Sequence, residues 1–543
     1  MSAFDRLYRI LSRRQVTGGS RALASTASND TTGPAGTTFA DVIREHAQIR
    51  PQASALSFEG VTWTFADLHA RSSRAANALR AEGVQAGDRV AVLTKNRAEF
   101  FELIFACSKI GAILVGLNWR LAPAELDAIV NDAKPTIAIV GPDEQHLLTA
   151  KARGVAGLRR VVVLGAEYDS WRASATPDDP GHDGAPDDVI LLLYTSGTTG
   201  LPKGAMLTNE GMSYTRRLAA EAWGMGSDSV NLVAMPMFHI GGCGYGTSTM
   251  MVGGHTVLMR EVNPATAVEL ISKYRVTHTF FVPAVVQALL QVPGIEKADL
   301  SSMQLLMYGA SPIGDVLLRR AIDVLKCNFM QAYGMTESSG TVVVLNPDEH
   351  DPDGPRADLL RSCGRALPWV ESRIIDPNSL QDVERGKVGE IWLRSGMIMK
   401  GYWNQPEATR EAIVEGGWFR TGDAAYQDEQ GYLYLYDRFK DMIISGGENI
   451  YPAEVENVLN GHPAVREVGV IGIPHQRWGE TPMAVVVLRA GTTADSNELI
   501  AFTRERLAHY KCPTAVTFSD TLPRNASGKL LKREMRRTFM ADR

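Results

Sequence analysis

Features that mark several other protein classes are scarce or absent in this 543-residue sequence. The five cysteines lie far apart and form no Cys-x-x-Cys pair, which argues against a disulfide framework and a zinc site. The longest apolar run, around residues 100–117, contains Glu102 and Lys109, so we expect no transmembrane segment. A formal net charge of -5 offers no broad basic field for DNA or RNA, and no Gly-x-Ser-x-Gly hydrolase elbow is present. What remains is a globular protein of enzyme size with reduced cysteines.

The amino-terminal segment differs in composition from the rest of the chain. Before Asp30 it contains many arginine, serine and alanine residues, and Asp5 is its only acid. This composition resembles a mitochondrial targeting segment, with a disordered bacterial extension as the alternative. A polar linker follows before Phe39 starts a helix. We therefore assign residues 1–36 to an extension that is disordered or serves in targeting, and we expect a cytoplasmic protein, or a mitochondrial one if this segment is a transit peptide.

The remaining chain is too long for one ordinary hydrophobic core and should divide into domains. Up to residue 439, helical patterns such as Thr64 to Glu82 alternate with short apolar runs such as Val90 to Leu93, which is typical of βα units with buried, mostly parallel strands. From residue 440 the elements are shorter and predict a compact α+β domain of about 100 residues. The predicted fold is α/β, with mixed β-sheets flanked by helices in a large domain at 37–439 and a small C-terminal lid domain at 440–543.

The strongest chemical signal is residues 194–204, YTSGTTGLPKG, which follow an apolar strand at Val189 to Leu193. Its glycines allow turns that expose backbone N–H groups, its hydroxyls add donors for phosphate oxygens, and Lys203 adds a positive charge. It is not the common P-loop, because Pro202 stands where that motif requires glycine. The segment therefore predicts a cradle for a polyphosphate.

Further segments share this density of glycine, hydroxyl and charged residues. They are residues 309–312, 331–337, 417–423, 437–441 with 443–449, and 523–529. In this order and spacing, they and the polyphosphate cradle resemble the motifs of the adenylate-forming (ANL) superfamily, and in particular its acyl-CoA synthetase or fatty-acid–CoA ligase branch. The superfamily also contains aryl-CoA synthetases, adenylation domains of peptide synthetases and firefly-type luciferases. The resemblance extends from Phe39 to about Arg533.

The resemblance implies a nucleotide site. Thr195 to Lys203 corresponds to the family's phosphate loop, Tyr333 to the aromatic residue against adenine, and Asp423 to the carboxylate that binds both ribose hydroxyls. Thr336 corresponds to the residue that contacts the α-phosphate, and Glu337 to the magnesium ligand, where one carboxylate suffices because water and phosphates complete the shell. The residues implied for ATP and CoA are Thr195, Ser196, Gly197, Thr198, Thr199, Gly200, Lys203, Gly309, Ala310, Ser311, Tyr333, Gly334, Asp423, Arg438, Gly446 and Gly447.

Catalytic and CoA-side residues are implied as well. Lys529 corresponds to the lysine that spans the attacking carboxylate and the α-phosphate, where a cation offsets the repulsion of two anions. Its alternative is a solvated lysine in a basic tail. His239 resembles the family's aromatic gate between the acyl pocket and the pantetheine tunnel, with a core histidine as the alternative. Gly446 and Gly447 match the turn that passes the pantetheine arm. Trp478 resembles a surface aromatic residue on the CoA side, with ordinary side-chain packing as the alternative.

Two positions concern the domain junction. Arg438 corresponds to a second ribose-side contact, and a surface ion pair is its alternative. Lys440 matches the family's hinge residue, about which the small domain rotates between the two half-reactions.

The resemblance implies an ATP- and magnesium-dependent, AMP-forming acyl-CoA synthetase with coenzyme A as co-substrate. The predicted pocket residues are apolar or small, which favours a fatty acid or another hydrophobic acid over an amino acid and keeps a benzoate- or cinnamate-type aryl acid as the main alternative. They are His239, Val282, Met307, Gly309, Gly334 and Met335. A carrier-protein-loading adenylation domain and a luciferase-like oxygenase share the ATP motifs. The sequence leaves open whether the protein contacts a membrane peripherally and whether it is a monomer or a homodimer.

Overall fold

The computed structural model describes residues 37–195, 202–310, 313–438, 441–445, 448–476, 478–524 and 530–540. Across these ranges no helix is both long and apolar enough to cross a membrane. The α-helices in them are α1 Phe39–Ile49, α2 Phe65–Ala81, α3 Ala98–Ser108, α4 Pro123–Ala133, α5 Ala150–Arg153, α6 Ala166–Ala173, α7 Asn209–Arg217, α8 Ile240–Met251, α9 Pro264–Tyr274, α10 Pro283–Leu289, α11 Asp315–Leu325, α12 Pro406–Ala412, α13 Pro452–Asn460, α14 Ser496–Arg504 and α15 Lys532–Met540.

Reciprocal side-chain caps explain where the first two helices begin. Thr38 Oγ1 accepts a hydrogen bond from the Asp41 N–H at 3.1 Å, and the Asp41 carboxylate accepts one from the Thr38 N–H at 2.9 Å. Thr64 and Asp67 make the same pair of bonds before α2. Such boxes satisfy backbone donors that a helix start leaves unpaired. The predictions that a helix starts at Phe39 and another spans Thr64 to Glu82 are confirmed.

The largest sheet has nine strands and a parallel centre. Its strands are β1 Ser54–Phe58, β2 Val61–Thr64, β9 Val230–Val233, β10 His255–Leu258, β11 His278–Phe281, β12 Leu305–Gly309, β13 Asn328–Met335, β14 Gly340–Leu345 and β15 Arg365–Ala366. The order is β15-β14-β13-β12-β11-β9-β10-β1-β2. The pairs from β13 to β1 are parallel, whereas β14, β15 and β2 add antiparallel edges.

A seven-stranded sheet has the same mixed character. It contains β3 Arg89–Leu93, β4 Ile113–Leu117, β5 Ile137–Val140, β6 Arg160–Val163, β7 Val189–Thr195, β8 Lys203–Thr208 and β18 Gly401–Tyr402. The order is β18-β8-β7-β4-β3-β5-β6, with β8 and β18 antiparallel to their neighbours. The predicted strand before the phosphate loop is thus confirmed as β7.

Helices cover both faces of these two sheets. One apolar core, with Phe105 of α3, Leu191 of β7 and Leu258 of β10, lies between them. Leu306 of β12 packs with α9–α11 on the far face of the nine-stranded sheet, and Val115 of β4 packs with α4 on the far face of the seven-stranded sheet. Because strands buried on both faces read as continuous apolar runs, the βα pattern was visible in the sequence.

A third sheet departs from the βα pattern predicted up to residue 439. It is antiparallel and contains β16 Glu371–Ile375, β17 Gly389–Arg394, β19 Ile413–Val414, β20 Trp418–Gln427 and β21 Leu433–Arg438. The reason is that antiparallel neighbours need only short turns, whereas parallel neighbours need a crossover, usually a helix.

The last sheet comes entirely from the carboxy-terminal part of the chain. It contains β22 Ile443–Ser445, β23 Glu448–Ile450, β24 Val465–His475, β25 Gly479–Leu488 and β26 Ala515–Phe518. Val455 of α13 and Leu499 of α14 pack on one of its faces, and Met535 of α15 packs on the other. This is the α+β arrangement that the shorter elements predicted.

Candidate active site

The predicted site motifs lie at strand ends. The strands β11, β12 and β13 are parallel neighbours, so Phe281, Gly309 and Met335 end at one edge of the nine-stranded sheet. In open α/β sheets, ligands bind outside the carboxyl ends of the strands. Thr336 and Glu337 follow β13 directly in a short 3-10 turn.

Glu337 connects this edge to the seven-stranded sheet. Its Oε1 accepts a hydrogen bond from Thr195 Oγ1 at 3.2 Å and another from the Tyr402 hydroxyl at 3.0 Å. Thr195 ends β7 and faces Lys203, the first residue of β8, across the strand pair. The Lys203 ammonium lies 5.0 Å from the centre of the Tyr402 ring. The two residues that flank the predicted phosphate loop therefore lie beside the predicted magnesium ligand.

The single carboxylate of Glu337 suits magnesium better than a metal ion whose ligands all come from protein side chains. Nowhere in the described ranges do three or more His, Cys, Asp or Glu side chains gather as a metal cluster. Glu337 is partly exposed and is steadied by two hydroxyl donors. A single carboxylate of this kind suits Mg²⁺, which takes its other ligands from water and nucleotide phosphates.

Two residues that are predicted to contact the nucleoside form a hydrogen bond with each other. The Tyr333 hydroxyl donates to Asp423 Oδ2 at 2.9 Å, and both residues are largely buried. Burial, and secondarily the charge of Asp423, raises the pKa of Tyr333 well above its ordinary value, so the hydroxyl keeps its proton. Asp423 on β20 pairs with Arg438 on β21 through the backbone ladder. The three residues predicted at adenine and ribose thus share one region.

Two glycines at the strand ends are required by close packing. A Cβ on Gly309 would lie 2.1 Å from the carbonyl oxygen of Ala332, and one on Gly334 would lie 2.0 Å from that of Gly340. Ala310 follows with a φ of 64°, in the left-handed region. The neighbouring backbone segments at this edge are therefore too close for a side chain at either glycine.

His239 immediately precedes α8. Its Nε2 is shielded from solvent and has no hydrogen-bond partner within the described part of the chain, and its ring centre lies 4.6 Å from that of Phe238. Burial, followed by the charge of Arg120, lowers the pKa of His239 to about 4. The imidazole is therefore neutral at physiological pH, which suits the wall of an apolar pocket.

One aromatic side chain that the sequence did not single out, Phe280, lies beside the predicted site residue Gly309. Phe280, partly exposed on β11, lies between two glycines, since a Cβ on Gly241 or on Gly309 would come within 3.5 Å of its ring. Its ring centre is 5.7 Å from that of Tyr245 on α8. Of the residues predicted for the acid pocket, Val282 and Met307 are buried, and Met307 pairs with Phe280 across β11 and β12. The spacing of four residues places Gly241 and Tyr245 on one helix face, which is the only sign of the Phe280–Tyr245 contact in the sequence.

Several predicted residues are not among those described. Ser196, Gly197, Thr198, Thr199, Gly200, Ser311, Lys440, Gly446, Gly447 and Lys529 lie outside the described ranges. On either side of the segment that contains Lys529, Arg524 and Leu530 form an isolated antiparallel bridge. Trp478 is 40% exposed and stacks on His475 with ring centres 4.6 Å apart.

Comparison with known proteins identifies the class. Residues 43–403 match the family described as AMP-binding enzyme, and residues 454–529 match the AMP-binding enzyme C-terminal domain. The chain is 40% identical over 504 residues to the fatty acid–[acyl-carrier-protein] ligase ScoC of Streptomyces coeruleorubidus, covering 92% of this chain and 95% of that protein. It is 41% identical over 494 residues to a feruloyl-CoA synthase of Amycolatopsis, covering 91% and 97%. ATP-bound MatB from Rhodopseudomonas palustris has a similar structure, with a TM-score of 0.86 and 32% identity over 93% of this chain and 99% of that one.

The chain belongs to the AMP-binding enzyme family, and the resemblance to the adenylate-forming superfamily is confirmed. It is an enzyme, a ligase of the acid–thiol class, with the predicted α/β architecture.

Proposed function

We propose that the protein is an ATP-dependent, AMP-forming acyl-CoA synthetase that adenylates a hydrophobic carboxylic acid and then transfers the acyl group to coenzyme A. The observation that carries this proposal is the contact of Glu337 with Thr195 and Tyr402, at 3.2 and 3.0 Å. Glu337, a carboxylate of the kind that suits magnesium, thereby lies beside both ends of the segment from Thr195 to Lys203.

In the proposed first step, a carboxylate oxygen of the acid attacks the α-phosphorus of ATP. The bond from that phosphorus to the bridging oxygen breaks, and pyrophosphate leaves. Lys203 and the rest of the phosphate loop hold the departing phosphates, Thr336 contacts the α-phosphate, and Lys529 offsets the repulsion between the two anions. Glu337 would hold a magnesium ion, which would neutralise charge on the phosphates.

The nucleoside is held on the other side of this centre. The Tyr333 ring offers a flat face to adenine. Asp423, fixed by the Tyr333 hydroxyl, accepts hydrogen bonds from the ribose, with Arg438 as its neighbour. The segment from Gly309 through Ser311, and Gly334, complete the nucleotide site.

In the proposed second step, the deprotonated CoA thiol attacks the acyl-adenylate carbonyl, and the bond to AMP breaks. We assign residues 1–36 to an extension, 37–439 to the ATP- and acid-binding domain and 440–543 to a mobile domain that turns about Lys440. Gly446 and Gly447 then take the place of Lys529, and the neutral His239 gates the pantetheine tunnel.

Two acid classes fit the proposal. The named relatives act on a fatty acid in one case and on ferulate in the other. They also differ in acceptor, an acyl carrier protein or CoA. We propose CoA as the acceptor and, because the relatives are bacterial, a cytoplasmic location.

The decisive experiment is product analysis with purified full-length protein. Each reaction contains one acid, either dodecanoic acid or 4-hydroxycinnamic acid, together with ATP, magnesium and CoA. In control reactions, each of these components is omitted in turn. We expect AMP and pyrophosphate in equal amounts, an acyl-CoA, and loss of turnover when magnesium is chelated. Stoichiometric ADP, or thioester formation on a carrier protein but not on CoA, would contradict the proposal.

A further inference from the structure

The strand β20 bulges at Asp423, the carboxylate that is proposed to bind the ribose. Its register with β17 shifts between two pairs, which are Glu390 with Ala424 and Trp392 with Arg420. One residue of β17, Ile391, therefore faces residues 421–423 of β20. A bulge of this kind bends a strand, re-aims its side chains and interrupts the hydrogen bonds of the ladder. The backbone groups in the bulge need other partners, because a buried donor without one costs free energy.

Side chains provide these partners. Glu390 Oε1 accepts a hydrogen bond from the Gly422 N–H at 3.0 Å. Gly422 has a φ of 72°, in the left-handed region that favours glycine, so the chain turns at this point. Thr421 Oγ1 donates to the carbonyl oxygen of Ile391 at 2.8 Å and accepts from the Asp423 N–H at 3.1 Å. Glu390 and Thr421 thus replace the missing ladder on the two sides of the bulge.

The Glu390 carboxylate is itself held in place. Glu390 is only 4% exposed. Its Oε2 accepts hydrogen bonds from Trp392 Nε1 at 3.0 Å and from Arg420 Nε and Nη2 at 3.1 and 3.0 Å. A buried charge is tolerated when it is paired and hydrogen-bonded in this way. Because donors lie on both oxygens, the carboxylate is held in one orientation, with Oε1 toward the Gly422 N–H.

We propose that Glu390 is a positioning residue for the nucleotide. By holding the Gly422 N–H, it directs the Asp423 carboxylate toward the ribose hydroxyls and so contributes to the choice of a ribonucleotide. The inference rests on the proposed function, in which Asp423 binds the ribose. Glu390 fixes the backbone before Asp423, whereas the Tyr333 hydroxyl donates to Asp423 Oδ2 at 2.9 Å. The competing explanation is that Glu390 stabilises the sheet and has no effect on the ribose.

The test compares ATP with 2′,3′-dideoxy-ATP, which lacks both ribose hydroxyls, in AMP release by wild type and Glu390→Gln. The amide keeps the size of the carboxylate, but its NH₂ group must face either the Gly422 N–H or the donors of Arg420 and Trp392. We expect wild type to prefer ATP, and Glu390→Gln to lower kcat/KM for ATP by about ten-fold, as when one hydrogen bond to a charged group is lost. The kcat/KM for the dideoxy nucleotide should change little, because it offers Asp423 no hydroxyl.

Glu371→Gln is the matched control. Arg394 Nε and Nη2 donate to the two oxygens of Glu371 at 2.9 and 2.6 Å, so this variant also removes a carboxylate from an arginine pair of the same sheet. Glu371 lies on β16, which β17 separates from the bulged strand β20. We expect Glu371→Gln to keep the wild-type kcat/KM for both nucleotides.

Equal losses with both nucleotides in Glu390→Gln, or no loss with ATP, would overturn the inference and leave the proposed function intact. Equal use of both nucleotides by wild type would also overturn it, because Asp423 would then not bind the ribose. Release of neither AMP nor pyrophosphate from ATP with any acid would instead overturn the proposed function. If Glu390→Gln does not fold, the same comparison in Arg420→Lys decides, because it keeps both charges and loosens the carboxylate. Failure of both variants to fold would assign Glu390 to the stability of the sheet and overturn the inference.

Discussion

The local motif around Glu337 does not reveal which residues its side chain contacts. A Thr-Glu pair after a strand is often only a helical start with a favourable dipole charge. What distinguishes Glu337 is that its carboxylate accepts hydrogen bonds from Thr195 and Tyr402, which are 142 and 65 residues away in the sequence. The motif around Thr195 pointed to the site. Tyr402 could not be found in this way, because it belongs to a two-residue strand whose partner, β8, is remote in sequence.

Tyr402 is predicted to position the magnesium ligand through its hydroxyl and Lys203 through its ring. Tyr402→Phe keeps the ring and removes the donor to Glu337, so adenylation should need a roughly ten-fold higher magnesium concentration, since a hydrogen bond to a charged group is lost. Tyr402→Leu removes both contacts and should in addition raise the KM for ATP. The measurement is a magnesium titration of pyrophosphate exchange, with thermal unfolding to check the fold. An unchanged magnesium requirement in Tyr402→Phe would refute the positioning role.

At the level of helices and strands, the predictions succeeded where burial on both faces leaves continuous apolar runs. The strand β3 and the helix α2 follow the predicted spans closely. The antiparallel sheet of β16, β17, β19, β20 and β21 was missed because its strands are short or contain polar and small residues, as in β20 with WFRTGDAAYQ. Asp423 lies on β20 of this sheet, and Tyr402 lies on β18, a two-residue strand of the seven-stranded sheet.

The edge formed by β12 and β13 gives a prediction at this scale. Gly309→Ala places a methyl group 2.1 Å from the backbone carbonyl oxygen of Ala332, which cannot rotate away. The strands must move apart, so we expect a loss of about 1–3 kcal/mol in stability and a higher KM for ATP. Gly314→Ala is the matched control, because a Cβ there meets no atom of the described residues within 4 Å. Thermal unfolding and ATP kinetics of both variants check the prediction, and equal behaviour would contradict it.

At the scale of the whole molecule, the sequence motifs were sufficient for the superfamily and the reaction class but not for the acid. The motifs are local runs, so they remain readable without the fold. The aromatic side chains Trp223, Tyr245 and Phe280 instead come from separate parts of the chain, carry no common motif and meet only through their ring contacts. Ordinary core aromatics look the same in sequence.

The two proposed half-reactions impose incompatible demands on the space around the α-phosphate. Lys529 must approach it during adenylation, yet the pantetheine thiol must reach the adjoining carbonyl for the transfer. We propose that rotation of the small domain resolves this conflict, about a hinge of a few residues that absorb a large backbone change. The proposed hinge, Lys440, stands two residues after the end of β21 in the sequence, and the last residue of that strand, Arg438, pairs with Asp423 on β20.

Lys440→Pro should separate the half-reactions. Proline fixes φ near roughly −65° and restricts the residue before it, so the variant should be held in one of the two domain orientations. We expect pyrophosphate exchange to persist, because adenylation needs Lys529 but no pantetheine tunnel, while transfer from a supplied acyl-adenylate to CoA falls by at least about 10²-fold, as when a reacting group is misplaced. Lys440→Ala, which removes the side chain and leaves the backbone free, should retain both steps. If the proline variant lost both half-reactions equally, or kept normal transfer from the supplied adenylate, the hinge would have to lie elsewhere.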